Sequence, residues 1–182
     1  MRSMKTFLVF CIFLLVFGCV RTVGDIRDNT FYYEDNYSVE LPGDEWQIIR
    51  QQVKPGDPLF PSINPPRYSS SYQISFDHKK SGGFIGVTAS KLTDIGKQRS
   101  LDVIADVIFS QSEGVKLSQN KVTVDGIEAI EDVHSGKKLV KLIVFKTDDM
   151  LYYVGYANTP TYFDQYLPVF DKFVSSMKVL KR

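Results

Sequence analysis

Apolar residues follow several distinct rhythms along this chain of 182 residues. Positions 7–17 form a nearly unbroken apolar run, with Arg2 and Lys5 before it and Gly18-Cys19 after it. Two short extended stretches follow at 30–34 and 37–41, parted by the turn-prone pair Asp35-Asn36. Pro42-Gly43-Asp44 ends the second, and 46–51 makes a further extended piece. Tyr72, Ile74, Phe76 and His78 alternate with polar neighbours, the period of a half-buried strand. A turn at 79–83 then leads into a second strand over 84–92, so these two predict a hairpin. Leu101, Ile104, Ala105 and Ile108 recur at the spacing of one helical face. Ser100 is placed to cap that helix and Gly114 to close it.

Four strands are expected next, over 116–124, 127–134, 139–146 and 151–157. Asp125-Gly126 is a strong tight-turn signal, and Ser135-Gly136-Lys137 and Asp148-Asp149 make the other two turns, so strands joined by such short links must be antiparallel neighbours. Leu139, Ile143 and Phe145 fall on one side of their strand; Val140, Leu142 and Val144 fall on the other. Both faces of the sheet must therefore be covered. The helical period of Phe163, Tyr166, Leu167, Phe170, Phe173, Val174 and Met177 supplies one cover, with Thr159 as cap and Pro160 at the first helical position. Pro168 predicts a kink or restart, because proline cannot donate to the carbonyl of Asp164. The helix from Ser100 supplies the other cover. The expectation is an α+β fold: an α/β/α sandwich with a central antiparallel sheet and helices on both faces.

The first eighteen residues have the layout of a signal peptide. A helix rises about 1.5 Å per residue, so the apolar run falls far short of a bilayer core of about 30 Å. No alanine precedes Ala89, which removes the Ala-x-Ala site of ordinary cleavage. Val16-Phe17-Gly18-Cys19 instead resembles the bacterial lipobox, although Phe17 is larger than usual at its position. The expected layout is a lipoprotein signal peptide over 1–18, a lipidated tether over 19–30 and a single globular domain over 31–182. Lipid on Cys19 would hold the chain to a membrane on the extracytoplasmic side. Bacterial lipoproteins resemble one another in carrying two or three acyl chains, enough for durable attachment. Val20 in place of an aspartate leans towards the outer membrane.

Composition narrows the partners. Of 22 Lys and Arg, Arg2 and Lys5 leave with the signal, so 20 basic residues face 21 acidic ones. Such balance offers no electrostatic footprint for nucleic acid. The only two cysteines are Cys11, which is discarded, and Cys19, so the mature chain holds no disulfide. Five of eight prolines lie within 53–71, which predicts a loop or an edge excursion.

In order and spacing, several segments resemble the PsbP-like superfamily, with its Mog-type members and DcrB-like bacterial lipoproteins. They are Tyr37-Ser38-Val39-Glu40-Leu41-Pro42 followed by Trp46, then Ser100-Leu101, then Val124-Asp125-Gly126. Tyr162-Phe163 follows, leading through Pro168 and Phe170 to Ser176-Met177-Lys178. The resemblance implies the same α/β/α sandwich and a partner-binding module without catalysis. The proline-rich segment is longer than its usual equivalent.

Candidate chemistry is sparse. His78 and His134 lack metal-ligand spacing and are expected at a surface or an edge. Glu131-Asp132 and Asp148-Asp149 read as solvated pairs, since adjacent strand residues point to opposite faces. Ser81-Gly82-Gly83 is not a phosphate loop, and no nucleophile-elbow motif occurs. Tyr152, Tyr153, Tyr156, Tyr162 and Tyr166 are expected to pack between the last strand and helix, hydroxyls outward. Trp46, Phe60 and Tyr68 form the candidate partner-binding surface. The expected function is a membrane-anchored envelope lipoprotein with a non-catalytic domain that binds a protein or envelope component, without cofactor or metal. The alternative is a small envelope hydrolase, or a ligand-binding protein with an unrecognised pocket.

Overall fold

A computed structural model of the protein describes residues 24–33, 36–53, 71–110 and 114–180, with the backbone alone at 50–53 and 71–73. The chain opens with three short strands, β1 (Asp25–Arg27), β2 (Thr30–Tyr33) and β3 (Tyr37–Glu40). The long strands β4 (Trp46–Val53), β5 (Ser71–His78) and β6 (Phe84–Lys91) follow. Two helices come next, α1 (Asp94–Gln98) and α2 (Leu101–Phe109). A meander of four strands succeeds them: β7 (Val115–Val124), β8 (Ile127–Ser135), β9 (Leu139–Lys146) and β10 (Met150–Asn158). Helix α3 (Pro160–Ser176) and the short β11 (Lys178–Val179) complete the described chain.

The strands build two antiparallel sheets. One has four strands in the order β1-β2-β3-β11; the other has seven in the order β4-β5-β6-β10-β9-β8-β7. Local sequence explains the tight turns. Asp125 and Gly126 have φ of 50° and 78°, as a two-residue hairpin turn between β7 and β8 demands. Asp28 and Asn29, at 47° and 60°, do the same between β1 and β2. At Gly114, φ is +112° and a Cβ would stand 2.2 Å from the Ser135 carbonyl oxygen, so only glycine fits where the chain enters β7.

Alternation along the strands divides the core in two. Ile143 and Phe145 of β9 join Tyr152, Val154 and Tyr156 of β10 on one face of the large sheet. That face is covered by Phe163, Phe170 and Phe173 of α3 together with Phe31, Tyr37 and Val39 of the small sheet. Leu142, Val144, Ile130 and Leu151 point the other way and meet Ile104, Ala105, Ile108 and Phe109 of α2.

The expected α/β/α sandwich is therefore corrected. Strand makes up 52% of the structure, in two sheets, against three helices among the described residues. One layer that was read as helix is shared between a helix and a second sheet. The pattern of 30–41 identifies strands but carries no information on which sheet they join.

Smaller departures have similar causes. Asp25–Arg27, read as tether, is a three-residue strand made by pairing with β2, with Ile26 packed against the core. Helix α1 has no counterpart among the expected elements; Thr93 caps it by accepting from the Gly96 N–H at 3.1 Å. Helix α2 starts as expected, with Ser100 Oγ accepting from the Val103 N–H, but stops at Phe109, ahead of Gly114. Helix α3 runs through Pro168 without restarting. No helix among the described residues is long and apolar enough to cross a membrane.

Candidate functional site

Of the residues singled out from sequence, Cys19, Phe60 and Tyr68 lie outside the described residues, as do the signal segment and most of the proline-rich stretch. Trp46 is described, and it is not a surface residue. It is 6% exposed, and its ring packs 5.0 Å from that of His78 and edge-on to Tyr166 at 6.0 Å. As the first residue of β4, opposite His78, it turns an aromatic side into the α3 core.

Both histidines are buried, contrary to expectation, and each belongs to a polar cluster. His78 ends β5, where the chain turns towards β6. Its Nδ1 accepts from the Ser81 N–H at 3.1 Å and lies 2.9 Å from Ser81 Oγ. That fixes the proton on Nε2, which faces Glu45 Oε2 at 3.5 Å, beyond a good hydrogen bond. Ser81 Oγ also accepts from the Gly83 N–H and from Asn158 Nδ2, both at 3.1 Å. Asn158 Oδ1 in turn accepts from the Thr159 N–H, and the Tyr156 hydroxyl donates to the Phe163 carbonyl at 2.7 Å.

This set joins a serine, a histidine and a carboxylate, the residue types of nucleophilic hydrolysis, yet its geometry is that of a clasp. The Ser81 hydroxyl donates a hydrogen bond to His78 Nδ1, and two N–H groups occupy both of its lone pairs. An attacking oxygen needs a free lone pair. What the network does is tie the β5–β6 turn to the end of β10 and the start of α3.

The second cluster lies at the opposite edge of the large sheet, between α2 and β7–β8. Among the described residues, strand β7 ends the sheet, paired with β8 on one side only. Nearly all of it is exposed; Val115 at 69% and Leu117 at 57% are the most exposed large apolar residues among those described. A β-bulge between Lys116 and Ser118 interrupts its register. Beside it, a cavity of about 230 Å³ is lined by Asp102 and Asp106 of α2, Gln119, Asn120 and Lys121 of β7, and Ile130 of β8. Lys121 is committed to Glu128 at 3.1 Å, and this hydrogen bond, with the charges of Glu128 and Asp102, holds its pKa above the ordinary lysine range.

Asp132 and His134 share the face of Ile130, because residues two apart on a strand point the same way. In register, Asp132 stands opposite Gln119 and His134 opposite Lys116. Asp132 is wholly buried rather than solvated, and neither carboxylate oxygen has a hydrogen-bond donor among the described residues. His134 Nε2 lies 3.1 Å from Asp132 Oδ2, but off hydrogen-bond alignment. Lys116 Nζ is 4.0 Å from the same oxygen and donates to Gln119 Oε1 at 2.8 Å. The Phe109 ring lies 6.5 Å from that of His134. The available signal was the Ile130-Asp132-His134 alternation; pairing Asp132 with its sequence neighbour Glu131 concealed it. Glu131 points away and pairs with Lys141 at 3.0 Å. Among the described residues no group of three His, Cys, Asp or Glu is placed to hold a metal ion.

The tyrosines divide. Tyr156 packs against Phe163 and Phe170, Tyr152 stacks on Phe145, and Tyr153 belongs to the α2 side. Their hydroxyls do not all reach solvent: that of Tyr152 is buried without a partner among the described residues.

No family model matches this sequence, and no curated protein does. Solved structures do match. The solution structure of cyanobacterial PsbP (CyanoP) from Synechocystis sp. PCC 6803 superposes with a TM-score of 0.54 at 16% identity, over 89% of this chain and 96% of that one. A crystal structure from Bacteroides thetaiotaomicron VPI-5482 superposes with a TM-score of 0.50 at 8% identity, over 86% of this chain but 50% of that one. At such identities the likeness bears on fold alone, and the fold is PsbP-like.

Proposed function

We propose that this chain is a membrane-anchored envelope lipoprotein, a DcrB-like relative of the PsbP and Mog-type proteins, whose domain binds a protein partner along β7 without catalysing a reaction. Lipid on Cys19 is the anchor, and the domain faces the extracytoplasmic side, with Val20 favouring the outer membrane. The PsbP-like fold supports the module, and the lipobox-like Val16-Phe17-Gly18-Cys19 supports the anchor.

The observation that carries the binding surface is the exposed edge of β7. A strand at the end of a sheet presents backbone N–H and C=O groups that an extended partner segment can pair with. Lys116, Lys121 and the bulge blunt this edge against indiscriminate pairing. Val115 and Leu117 add apolar contact. An extended segment of an envelope protein fits these features, because main-chain pairing supplies affinity and the bulge restricts register.

A photo-crosslinking residue placed at Leu117, in cells, tests this reading, with Lys172 on the exposed side of α3 as control. A discrete adduct at 117 that is absent at 172, and that Asn120→Pro abolishes in a folded protein, is the expected result. Equal labelling at the two positions, or none at 117, would overturn β7 as the surface.

A further inference from the structure

We propose that the outer face of the four-stranded sheet docks on the headgroup layer of the bilayer that holds the chain, through Tyr32 and Leu180. This orientation presupposes lipid at Cys19. Its first support is where the chain enters the fold. Gly24 has φ of +82°, and a Cβ there would overlap the Phe31 ring and stand 2.8 Å from the Tyr32 carbonyl oxygen. Phe31 belongs to the core, so the backbone at Gly24 is seated directly on the sheet. Residues 20–23 alone then separate the lipidated residue from that seat. A chain spans at most about 3.6 Å per residue, so the reach from Cys19 to Gly24 is at most about 18 Å. A domain of about 150 residues has a radius of gyration of about 15 Å. A leash of that reach holds the entry end of the domain at the membrane and keeps its far side away.

Strand register shows which side chains surround the point of entry. Asp25, Tyr32, Ser38 and Lys178 stand side by side across the four strands. This row faces away from the core, because Phe31, Tyr33, Tyr37, Val39 and Val179, which alternate with it, face inward. Leu180 lies two residues beyond Lys178, and its N–H donates to the Asn36 carbonyl at 2.8 Å. That places it at the same end of the sheet as Gly24, since β1 starts, β2 ends, β3 starts and β11 ends there. Tyr32 is 38% exposed and Leu180 is 49% exposed. Two large side chains with apolar surface therefore project beside the segment that leads to Cys19.

The chemistry of this face fits lipid headgroups. Tyrosine combines an apolar ring with a polar tip and is enriched where membrane meets water. The Arg27 guanidinium lies 5.9 Å above the Tyr32 ring, and Arg27 and Lys178 carry their charges on long apolar stems. Arg27 is paired with Asp25 at 2.6 Å and Lys178 with Asp125 at 3.3 Å. The face is thus close to neutral, and apolar contact rather than attraction to anionic lipid seats it. Two side chains would hold a free domain on a bilayer only weakly. The lipid makes the contact intramolecular, so a weak contact is enough to set the orientation.

Fluorescence of the full lipidated chain in vesicles of phosphatidylethanolamine and phosphatidylglycerol tests the orientation. With Cys11 removed and Cys19 acylated, Tyr32→Cys or Leu180→Cys supplies a single free thiol for a dye. Lys137→Cys is the control: it is exposed and follows β8, at the opposite end of that strand from Asp125, which holds Lys178. A nitroxide on the lipid headgroups should quench the dye at 32 and at 180 at least about threefold more than at 137, in low and high salt alike. Leu180→Glu should bring the dye at 32 down towards the level at 137 while the chain stays on the vesicles. Quenching at 32 and 180 no stronger than at 137, or undiminished at 32 in Leu180→Glu, would overturn the docking and leave the anchor standing. A chain without lipid on Cys19 would overturn the anchor and the docking with it.

Discussion

The hydroxyl groups of Tyr37, Tyr152 and Tyr156 show how one residue type performs different work. Tyr156 donates to the Phe163 carbonyl at 2.7 Å and so ties β10 to the first turns of α3. The hydroxyls of Tyr37 and Tyr152 are buried without a partner among the described residues, while their rings pack edge-on at 6.2 Å. Removing a bonded hydroxyl orphans its buried acceptor; removing an unbonded one relieves a desolvation cost. Tyr156→Phe should therefore cost about 1–2 kcal/mol in urea unfolding. Tyr37→Phe and Tyr152→Phe should match or exceed wild-type stability. A loss in those two as large as in Tyr156→Phe would mean that their hydroxyls are bonded after all.

Among the elements, α3 carries an internal conflict. Pro168 sits in its middle, is exposed, and cannot donate to the Asp164 carbonyl. The helix persists because Phe163, Phe170 and Phe173 bury one face against the sheets on either side of the proline. Tertiary packing outweighs a local penalty of about 3 kcal/mol. Pro168→Ala restores a donor on the solvent side, and stability should rise by about 1–3 kcal/mol, read as a higher urea midpoint. A fall would show that the proline shapes the helix for its seat.

Legibility at this scale followed the strength of local signals. The meander from β7 to β10 could be read because Asp125-Gly126 fixes the first turn and alternation fixes each face. Its placement at a sheet edge could not, since periodicity says nothing of strand order. Trp46 read as a surface aromatic because it was grouped with Phe60 and Tyr68 of the proline-rich segment; the extended piece it opens was legible, but the sequence does not say which way its first side chain turns, and the fold packs it against His78. Strand β1 went unseen although Asp28-Asn29 is a legitimate two-residue turn, because Asp25-Ile26-Arg27 is too short, with a single apolar residue, to establish a period. His78 and Asp132 were read as solvated for want of partners in sequence. Their partners, Ser81 and Asn158 for one and His134 and Lys116 for the other, come together only in the fold.

For the whole molecule, buried tyrosines set a limit on alkaline stability. Burial pushes the Tyr152 hydroxyl up to about 12 and raises Tyr37, Tyr153 and Tyr156 as well. In the unfolded chain each titrates near 10. Folded tyrosines hold their protons to higher pH, so their contribution is fully present below about pH 10 and is lost as pH rises towards the folded values. Unfolding in base should accompany tyrosinate formation in one cooperative step between about pH 10 and 12. Tyrosinate absorbance exceeding the share of the exposed tyrosines well before the loss of circular dichroism would contradict this burial.

The two sheets, the clasp at His78 and the α2–β7 cleft describe what the domain presents; the proposed anchor on Cys19 determines where it presents it. Fractionation of cells expressing the wild-type chain and Cys19→Ser, with the mass of the mature N-terminus, tests that claim most directly. The account predicts a wild-type chain that begins at a lipid-modified Cys19 and sediments with membranes, and a variant released to the soluble fraction. A Cys19→Ser chain that stays with the membranes, or a wild-type chain without lipid on Cys19, would contradict it.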